Sequence, residues 1–165
     1  MFLKSANHMK KPLLLIAVML VCSCTNVNKP LTAEENDKVI GEAKVLISEI
    51  IQACEKSDGE MLKSMFINSP DFVSMVGGIS VGYDQSLKNT DGYFASVVSQ
   101  KSSIKSEKYL VLDAKTVLYT ANSSWEATMK DGSKMVMDPT GMQFLLRKDG
   151  DRWKILSWTE EPVMK

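Results

Sequence analysis

Apolar residues in the first half of the chain recur at intervals of three and four positions, which is the spacing of one helical face. Thr32 and Glu35 have the spacing of a capping box, so a helix is predicted to begin after Thr32 and to end near Lys56. Its apolar face comprises Val39, Ile40, Ala43, Leu46, Ile47, Ile50 and Cys54. The run 57–60 repeats the box and predicts a second, short helix with Met61, Leu62, Met65 and Phe66 turned inward.

A two-glycine turn follows this helical pair. Residues 72–76 and 79–81 are β-type runs on either side of Gly77 and Gly78, and this composition predicts a tight hairpin. From 84 to 98 the apolar residues again have helical spacing, which predicts a third helix. Gly92 has a low helix propensity and weakens this prediction without excluding it.

The chain after Gln100 is predicted to be mostly strand, because apolar and polar residues alternate there. The predicted strands cover 109–112, 116–120, 125–129, 135–137, 142–147 and 153–158. An interruption at 138–141, which contains Pro139 and Gly141, predicts a bulge or sharp bend. Helices early and strands late predict an α+β domain, with three helices from the N-terminal half on one face of a curved antiparallel sheet.

The first residues have the features of a bacterial secretory signal. Lys10 and Lys11 precede an apolar run over 13–21, about half the ~20 residues that span a membrane. The run 20–24 resembles the lipobox of bacterial lipoproteins, in which cleavage after Ser23 leaves a lipidated Cys24. We therefore expect a signal peptide over 1–23, a tether over 24–31 and one domain over 32–165, held to a membrane of the cell envelope. An ordinary cleaved signal or an uncleaved anchor is the alternative.

The composition narrows the classes of function. The chain has 20 basic and 20 acidic residues, and this balance gives no reason to expect a nucleic-acid partner. Removing 1–23 takes away three lysines and the only histidine, which leaves a net charge of −3 and no Ser-His-Asp or Cys-His pair. A histidine-type zinc site and a phosphate-binding glycine loop are missing too, so no cofactor or metal is predicted. Cys54 lies on an apolar helical face and is predicted to be buried and unreactive.

The predicted order of elements resembles the nuclear transport factor 2-like superfamily, especially its SnoaL-like bacterial branch, over about residues 33–160. The resemblance rests on the long first helix, the run 57–60 before a Met/Leu/Phe helix, Gly77-Gly78 before Gly82-Tyr83, and the final hairpin over 147–156. It implies a cone-like sheet with the helices on its concave face, a pocket at the mouth of the cone, and a homodimer formed through the sheet.

The best-known chemistries of that superfamily do not fit the residues present. Ketosteroid isomerase-like members place an aspartate in the first hairpin, but residues 72–81 contain no acidic side chain. The histidine–aspartate pair of dehydratase and cyclase members is ruled out by the loss of His8. Catalysis would then depend on carboxylates, tyrosines or lysines.

Asp138 is the weak catalytic candidate, because it lies at the strand interruption among methionines; an aspartate that hydrogen-bonds to its own turn is the alternative. The candidate pocket residues are Tyr83, Tyr93, Trp125, Asp138, Met142, Phe144 and Trp158, although large aromatic residues are more often core. Glu160 and Glu161 follow the last predicted strand and could reach the mouth of a pocket; the expectation is that they are solvated.

Three hypotheses follow for the function. The first is a lipid-anchored envelope domain that binds a small apolar or amphipathic ligand without assignable catalysis. The second is a carboxylate-dependent lyase or isomerase that uses Asp138, with Tyr83 or Tyr93 as hydrogen-bond donor. The third is an assembly module whose cavity is filled by side chains. The volume of the cavity distinguishes the third hypothesis from the others.

Overall fold

The computed structural model describes residues 30–164, so the predicted signal peptide, Cys24 and most of the predicted tether lie outside the described residues. Three helices precede the long strands: α1 (Ala33–Glu55), α2 (Gly59–Ser64) and α3 (Tyr83–Ser96). Thr32 caps α1 through the predicted capping box, in which its hydroxyl accepts from Glu35 N and the Glu35 carboxylate accepts from Thr32 N. The beginning of α1 is therefore confirmed.

The cap of α2 lies one residue later than the capping-box pattern predicts. The Asp58 carboxylate accepts from the backbone N of Met61 at 2.8 Å. Ser57 has a φ of 53°, in the left-handed region, and therefore ends the turn after α1 instead of starting α2.

Six strands form one sheet. They are β1 (Val73–Val76), β2 (Ile79–Val81), β3 (Val97–Asp113), β4 (Thr116–Met129), β5 (Lys134–Asp149) and β6 (Arg152–Met164). The spatial order is β2-β1-β6-β5-β4-β3, and every neighbouring pair is antiparallel except β1 and β6, which run parallel. The predicted α+β fold with a curved antiparallel sheet is confirmed, and the parallel pairing of β1 with β6 is a departure from that prediction.

The β1–β2 hairpin turns at Gly77 and Gly78, as predicted. Their φ values of 57° and 78° are both in the left-handed region, which a two-residue turn between antiparallel strands requires and which glycine adopts without steric cost.

Strand β3 is longer than predicted, since it begins directly after α3 at Val97. Among the six described strands it lies at the edge of the sheet and pairs with β4 alone. Most side chains between Val98 and Lys108 are exposed, so this segment lacks the alternation by which strands are recognised in a sequence.

The interruption predicted near Pro139 is a bulge in β5. Ser123 and Trp125, two positions apart on β4, pair with Thr140 and Met137, three positions apart on β5. The extra residue allows both Met137 and Thr140 to line the concave side, and Asp138 lies in the bulge between them.

The core lies between α1 and the concave face of the sheet, as the helix pattern predicts. The apolar side chains of α1 belong to one cluster with inward residues of β4, β5 and β6. The largest of the fully buried side chains are Tyr119, Phe72, Leu146, Ile155 and Val117. Cys54 is buried, as predicted, and burial raises the pKa of its thiol well above the ordinary value. That the thiol is unreactive stays a prediction.

Candidate functional site

A cavity of about 390 Å³ lies where α3 and the β1–β2 hairpin cover one end of the concave sheet. Residues of β4, β5 and β6 contribute to its walls, and Cys54 at the end of α1 and Leu62 of α2 line it as well. The larger apolar side chains that line it are Leu62, Phe66, Ile79, Phe94, Trp125, Met137 and Trp158.

Two tryptophans are both core residues and walls of this cavity. Trp158 stacks on Phe144 with ring centroids 4.3 Å apart, and it meets the edge of Phe66 at 5.9 Å. The indole nitrogen of Trp125 donates to the hydroxyl of Ser123 at 3.0 Å, which satisfies its only polar atom inside the protein. Both indoles are therefore held in place by contacts that do not involve a ligand.

A chain of hydrogen bonds joins three elements at one side of the cavity. The hydroxyl of Tyr93 on α3 donates to Oε1 of Gln100 at 2.6 Å, and Nε2 of Gln100 donates to the backbone carbonyl of Cys54. Burial is the main reason that the pKa of Tyr93 rises to about 12. The Tyr93 hydroxyl is therefore a neutral donor at physiological pH.

Glu160 supplies the carboxyl group of the cavity. It lies on β6 two positions after Trp158 and two before Pro162, and all three side chains line the cavity. Its backbone carbonyl accepts from Gly77 N at 3.1 Å, which ties this part of β6 to the hairpin. The apolar surroundings raise the pKa of Glu160 to about 7, and a hydrogen bond from the Trp158 side chain opposes this rise only partly.

The expectation that Glu160 is solvated is therefore wrong, and the alternative, in which it reaches the pocket, agrees with the lining, because β6 extends past Trp158 to Met164. Glu161 points elsewhere: its carboxylate accepts from Gly78 N at 3.2 Å. The alternation that begins at Trp158 already puts Glu160 on the same face, and this signal could have identified it from the sequence.

Of the seven residues predicted from the sequence to line a pocket, Tyr93, Trp125 and Trp158 line this cavity together. The lining does not include Tyr83, which instead contacts Phe72 edge-on at 5.6 Å. Met142 and Phe144 are buried in the core, where Phe144 lies behind Trp158.

Asp138 also lies outside the cavity lining. The bulge directs the side chains of its neighbours Met137 and Thr140 into the cavity, and the Asp138 carboxylate pairs with the ammonium of Lys105 on β3. The structure therefore places this carboxylate against a surface lysine and not among the side chains that line the cavity.

Within residues 30–164, no cluster of three or more histidine, cysteine, aspartate or glutamate side chains could hold a metal ion. In the same part of the chain, no helix combines the length and the apolar character needed to cross a membrane.

No protein-family model and no curated protein sequence matches the chain, whereas solved structures match it over most of its length. A protein from Novosphingobium aromaticivorans, assigned as a scytalone dehydratase, superposes with a TM-score of 0.72 at 10% identity, over 81% of this chain and 89% of the other. A nuclear transport factor 2-like superfamily protein from Salmonella enterica gives 0.69 at 15% identity, over 79% and 94%.

The type 3 hexachlorocyclohexane dehydrochlorinase from Novosphingobium barchaimii gives a TM-score of 0.67 at 11% identity, over 81% of this chain and 93% of that one. Identities this low establish the architecture and leave the chemistry open. The architecture agrees with the resemblance seen in the sequence: the chain has the nuclear transport factor 2-like fold.

Proposed function

We propose that this domain binds a small, largely apolar molecule in the cavity beneath α3 and the β1–β2 hairpin. The observation that carries the proposal is the cavity itself, whose volume of about 390 Å³ falls in the range of small-molecule sites. Its apolar and aromatic walls, combined with a few polar groups such as Tyr93, Gln100 and Glu160, are the usual composition of such a site.

The open volume also favours binding over the assembly-module hypothesis, which requires a cavity filled by side chains. Relatives in fold support a small-molecule role, since one is a hexachlorocyclohexane dehydrochlorinase and another is assigned as a scytalone dehydratase. The homodimer implied by the sequence resemblance stays a prediction.

Filling the cavity from α3 tests the proposal. Thr90 lies on α3 and lines the cavity, so Thr90→Trp should occupy part of the volume and weaken binding of 1-methylnaphthalene at least tenfold. Binding is measured by the rise in unfolding temperature with ligand concentration, because a ligand that binds only the folded state stabilises it.

The matched control is Lys88→Trp on the same helix, at an exposed position outside the cavity lining. It should bind 1-methylnaphthalene as the unaltered protein does. Equal binding by the Thr90→Trp and Lys88→Trp variants, or no binding by the unaltered protein, would refute the proposed site.

A second candidate function is proton transfer by Glu160, and the position of this carboxyl group in an apolar cavity favours it. In this reaction the Glu160 carboxylate takes a proton from a carbon next to a ligand carbonyl. The electron pair of the broken C–H bond forms a C=C bond, and the carbonyl π electrons move to oxygen. In a ligand with a C=C bond at the β,γ position, the Glu160 carboxyl then returns the proton to the γ carbon while the electrons on oxygen re-form the carbonyl. The C=C bond has moved to the α,β position and the Glu160 carboxylate is regenerated. Glu160 here replaces Asp138 as the candidate base.

We further propose that Cys24 is lipidated and holds the domain at a membrane of the cell envelope, as the sequence over 20–24 indicates. Cys24→Ala should remove the lipid label and move the protein from the membrane fraction to the soluble fraction, since each buried methylene of an acyl chain contributes ~0.8 kcal/mol. Metabolic labelling with a fatty acid, followed by fractionation, measures both effects. Cys22→Ala is the control and should keep the label; labelling that survives in the Cys24→Ala variant would contradict the anchor.

A further inference from the structure

The charge inside the cavity is unbalanced. Among the described residues that line it, Glu160 is the only one whose side chain is charged near neutral pH, and no lysine or arginine takes part. The other titratable side chains in the lining are Cys54, at the end of α1, and Tyr93 on α3. Burial raises the pKa of both groups, so both stay neutral where Glu160 ionises.

Glu161, Asp138 and Glu55 lie on strands or helices that form the cavity, and each has a partner outside the cavity lining. Glu161 accepts from Gly78 N, and Asp138 pairs with Lys105. Glu55, at the end of α1, accepts from the backbone N and hydroxyl of Ser102. The cavity-facing residues of the hairpin, β4 and β5 are apolar or neutral, so in the part of the chain that the structure describes Glu160 alone brings a charged side chain into the cavity.

The walls around this carboxyl group are rich in aromatic rings. Phe66, Phe94, Trp125 and Trp158 line the same cavity as Glu160, and Tyr93 adds a fifth ring. Aromatic faces carry partial negative charge and attract organic cations, with tryptophan the strongest of them. A carboxylate among aromatic rings favours a positively charged group and disfavours an anion.

The usual penalty for burying an ion pair is reduced here. An ammonium ion loses its hydration when it enters a cavity, and its attraction to a carboxylate has to offset that loss. If the carboxylate also had to lose its hydration on binding, the ion pair would contribute little net affinity. Folding has already placed the half-buried Glu160 side chain among apolar walls, so part of this cost is met before a ligand arrives.

We propose that the cavity selects organic cations: molecules with a flat apolar body and a protonated amine, which pairs with the Glu160 carboxylate while the aromatic side chains surround the body. This inference rests on the proposed binding function and assigns the chemical class of its ligand. The ammonium group donates hydrogen bonds to the carboxylate, and the body contacts Trp125 and Trp158.

Three compounds of similar shape test the inference: 1-naphthylmethylamine, 1-naphthalenemethanol and 1-methylnaphthalene. Charge-assisted hydrogen bonds are the stronger ones, so the amine should bind about 10–100-fold more tightly than 1-methylnaphthalene at pH 8. The alcohol should fall between them, and 1-naphthoate should bind most weakly of all. Affinities are measured by titration calorimetry on the whole domain.

Glu160→Gln should remove the preference for the amine to within about threefold while 1-methylnaphthalene still binds. Glu126→Gln, at an exposed position on β4, is the control and should keep the preference. Lowering the pH from 8 to 5 should also abolish the preference in the unaltered protein, because Glu160 becomes protonated while the amine stays charged. This pH series needs no variant and therefore tests the inference even if the Glu160→Gln variant folds poorly.

The possible outcomes distinguish a failure of the cation preference from a failure of the proposed binding function. If none of the compounds binds, the proposed function fails and the inference with it. Binding of 1-methylnaphthalene or 1-naphthoate as tightly as the amine would overturn the choice of organic cations and leave the binding function standing. Retention of the amine preference in the Glu160→Gln variant would overturn the role of Glu160.

Discussion

Glu160→Gln is expected to stabilise the folded domain by about 2–3 kcal/mol at pH 8 and to change its stability little at pH 4.5. The apolar cavity raises the pKa of Glu160 from the ordinary 4.5 to about 7 in the folded state. Below pH 4.5 the carboxyl group is protonated in both states, so it favours neither. As the pH rises towards 7, the folded state holds the proton more tightly than the unfolded state, and stability falls.

Above pH 7 the ionised Glu160 carboxylate destabilises the folded state, because it is less well hydrated there than in the unfolded chain. Glutamine has no such effect because its amide remains neutral. Urea unfolding from pH 4.5 to 8.5 measures the effect as a widening gap between the two proteins. The Glu126→Gln control should show no such gap, since its side chain is exposed. Parallel stability curves for Glu160→Gln and the unaltered protein would mean that the carboxyl group is in water and the site is misassigned.

The same variant tests proton transfer. If Glu160 is a base, the unaltered protein should exchange the protons next to the carbonyl of 2-tetralone with deuterium from D₂O, and Glu160→Gln should slow this exchange about 10²–10⁴-fold. Proton nuclear magnetic resonance follows the loss of signal. Exchange at the same rate in both proteins, or no exchange above the buffer rate in either, would contradict a role for Glu160 as a base. The binding function would not be affected by that result.

Trp158→Ala is expected to destabilise the domain by about 3–5 kcal/mol, which is a large share of the stability of a domain this size. The indole is 8% exposed, it stacks on Phe144 at 4.3 Å, and it contacts Phe66. Alanine would remove these contacts and enlarge the cavity, which the surrounding sheet cannot close because β5 and β6 are held by their hydrogen-bonded register.

Trp158→Phe is the matched control, since a phenyl ring can keep the stack on Phe144 and should cost only about 1–2 kcal/mol. Chemical unfolding with and without 1-methylnaphthalene measures both variants. A loss below about 1 kcal/mol for the alanine variant would show that Trp158 contributes to the cavity wall and little to the core.

The helices and the hairpin could be predicted from local patterns, because their determinants are close together in the sequence. The Thr32–Glu35 box begins α1, and Gly77-Gly78 permits the left-handed turn. The interruption near Asp138 was also predictable. The direction of the Asp138 side chain was not, because it depends on which residues of β4 pair with Met137 and Thr140.

The site was predicted only in part for a related reason. Tyr93, Trp125 and Trp158 were identified as large aromatic residues, and the fold brings them to one cavity. For Glu160 the sequence favours a solvated side chain over one that reaches the pocket, because charge near the end of the chain suggests exposure. Its burial depends on β1 and α3, which are distant in sequence and cover this end of β6.

The parallel pairing of β1 with β6 has a consequence for the order of assembly. Val73 pairs with Ser157, so the hairpin that covers the cavity joins its strand across a separation of 84 residues. Contacts between distant residues carry a large loop-closure cost and tend to form late in folding. A ligand in this cavity would then mainly slow unfolding and change the folding rate little. The folded chain would therefore have a longer lifetime when the ligand is bound.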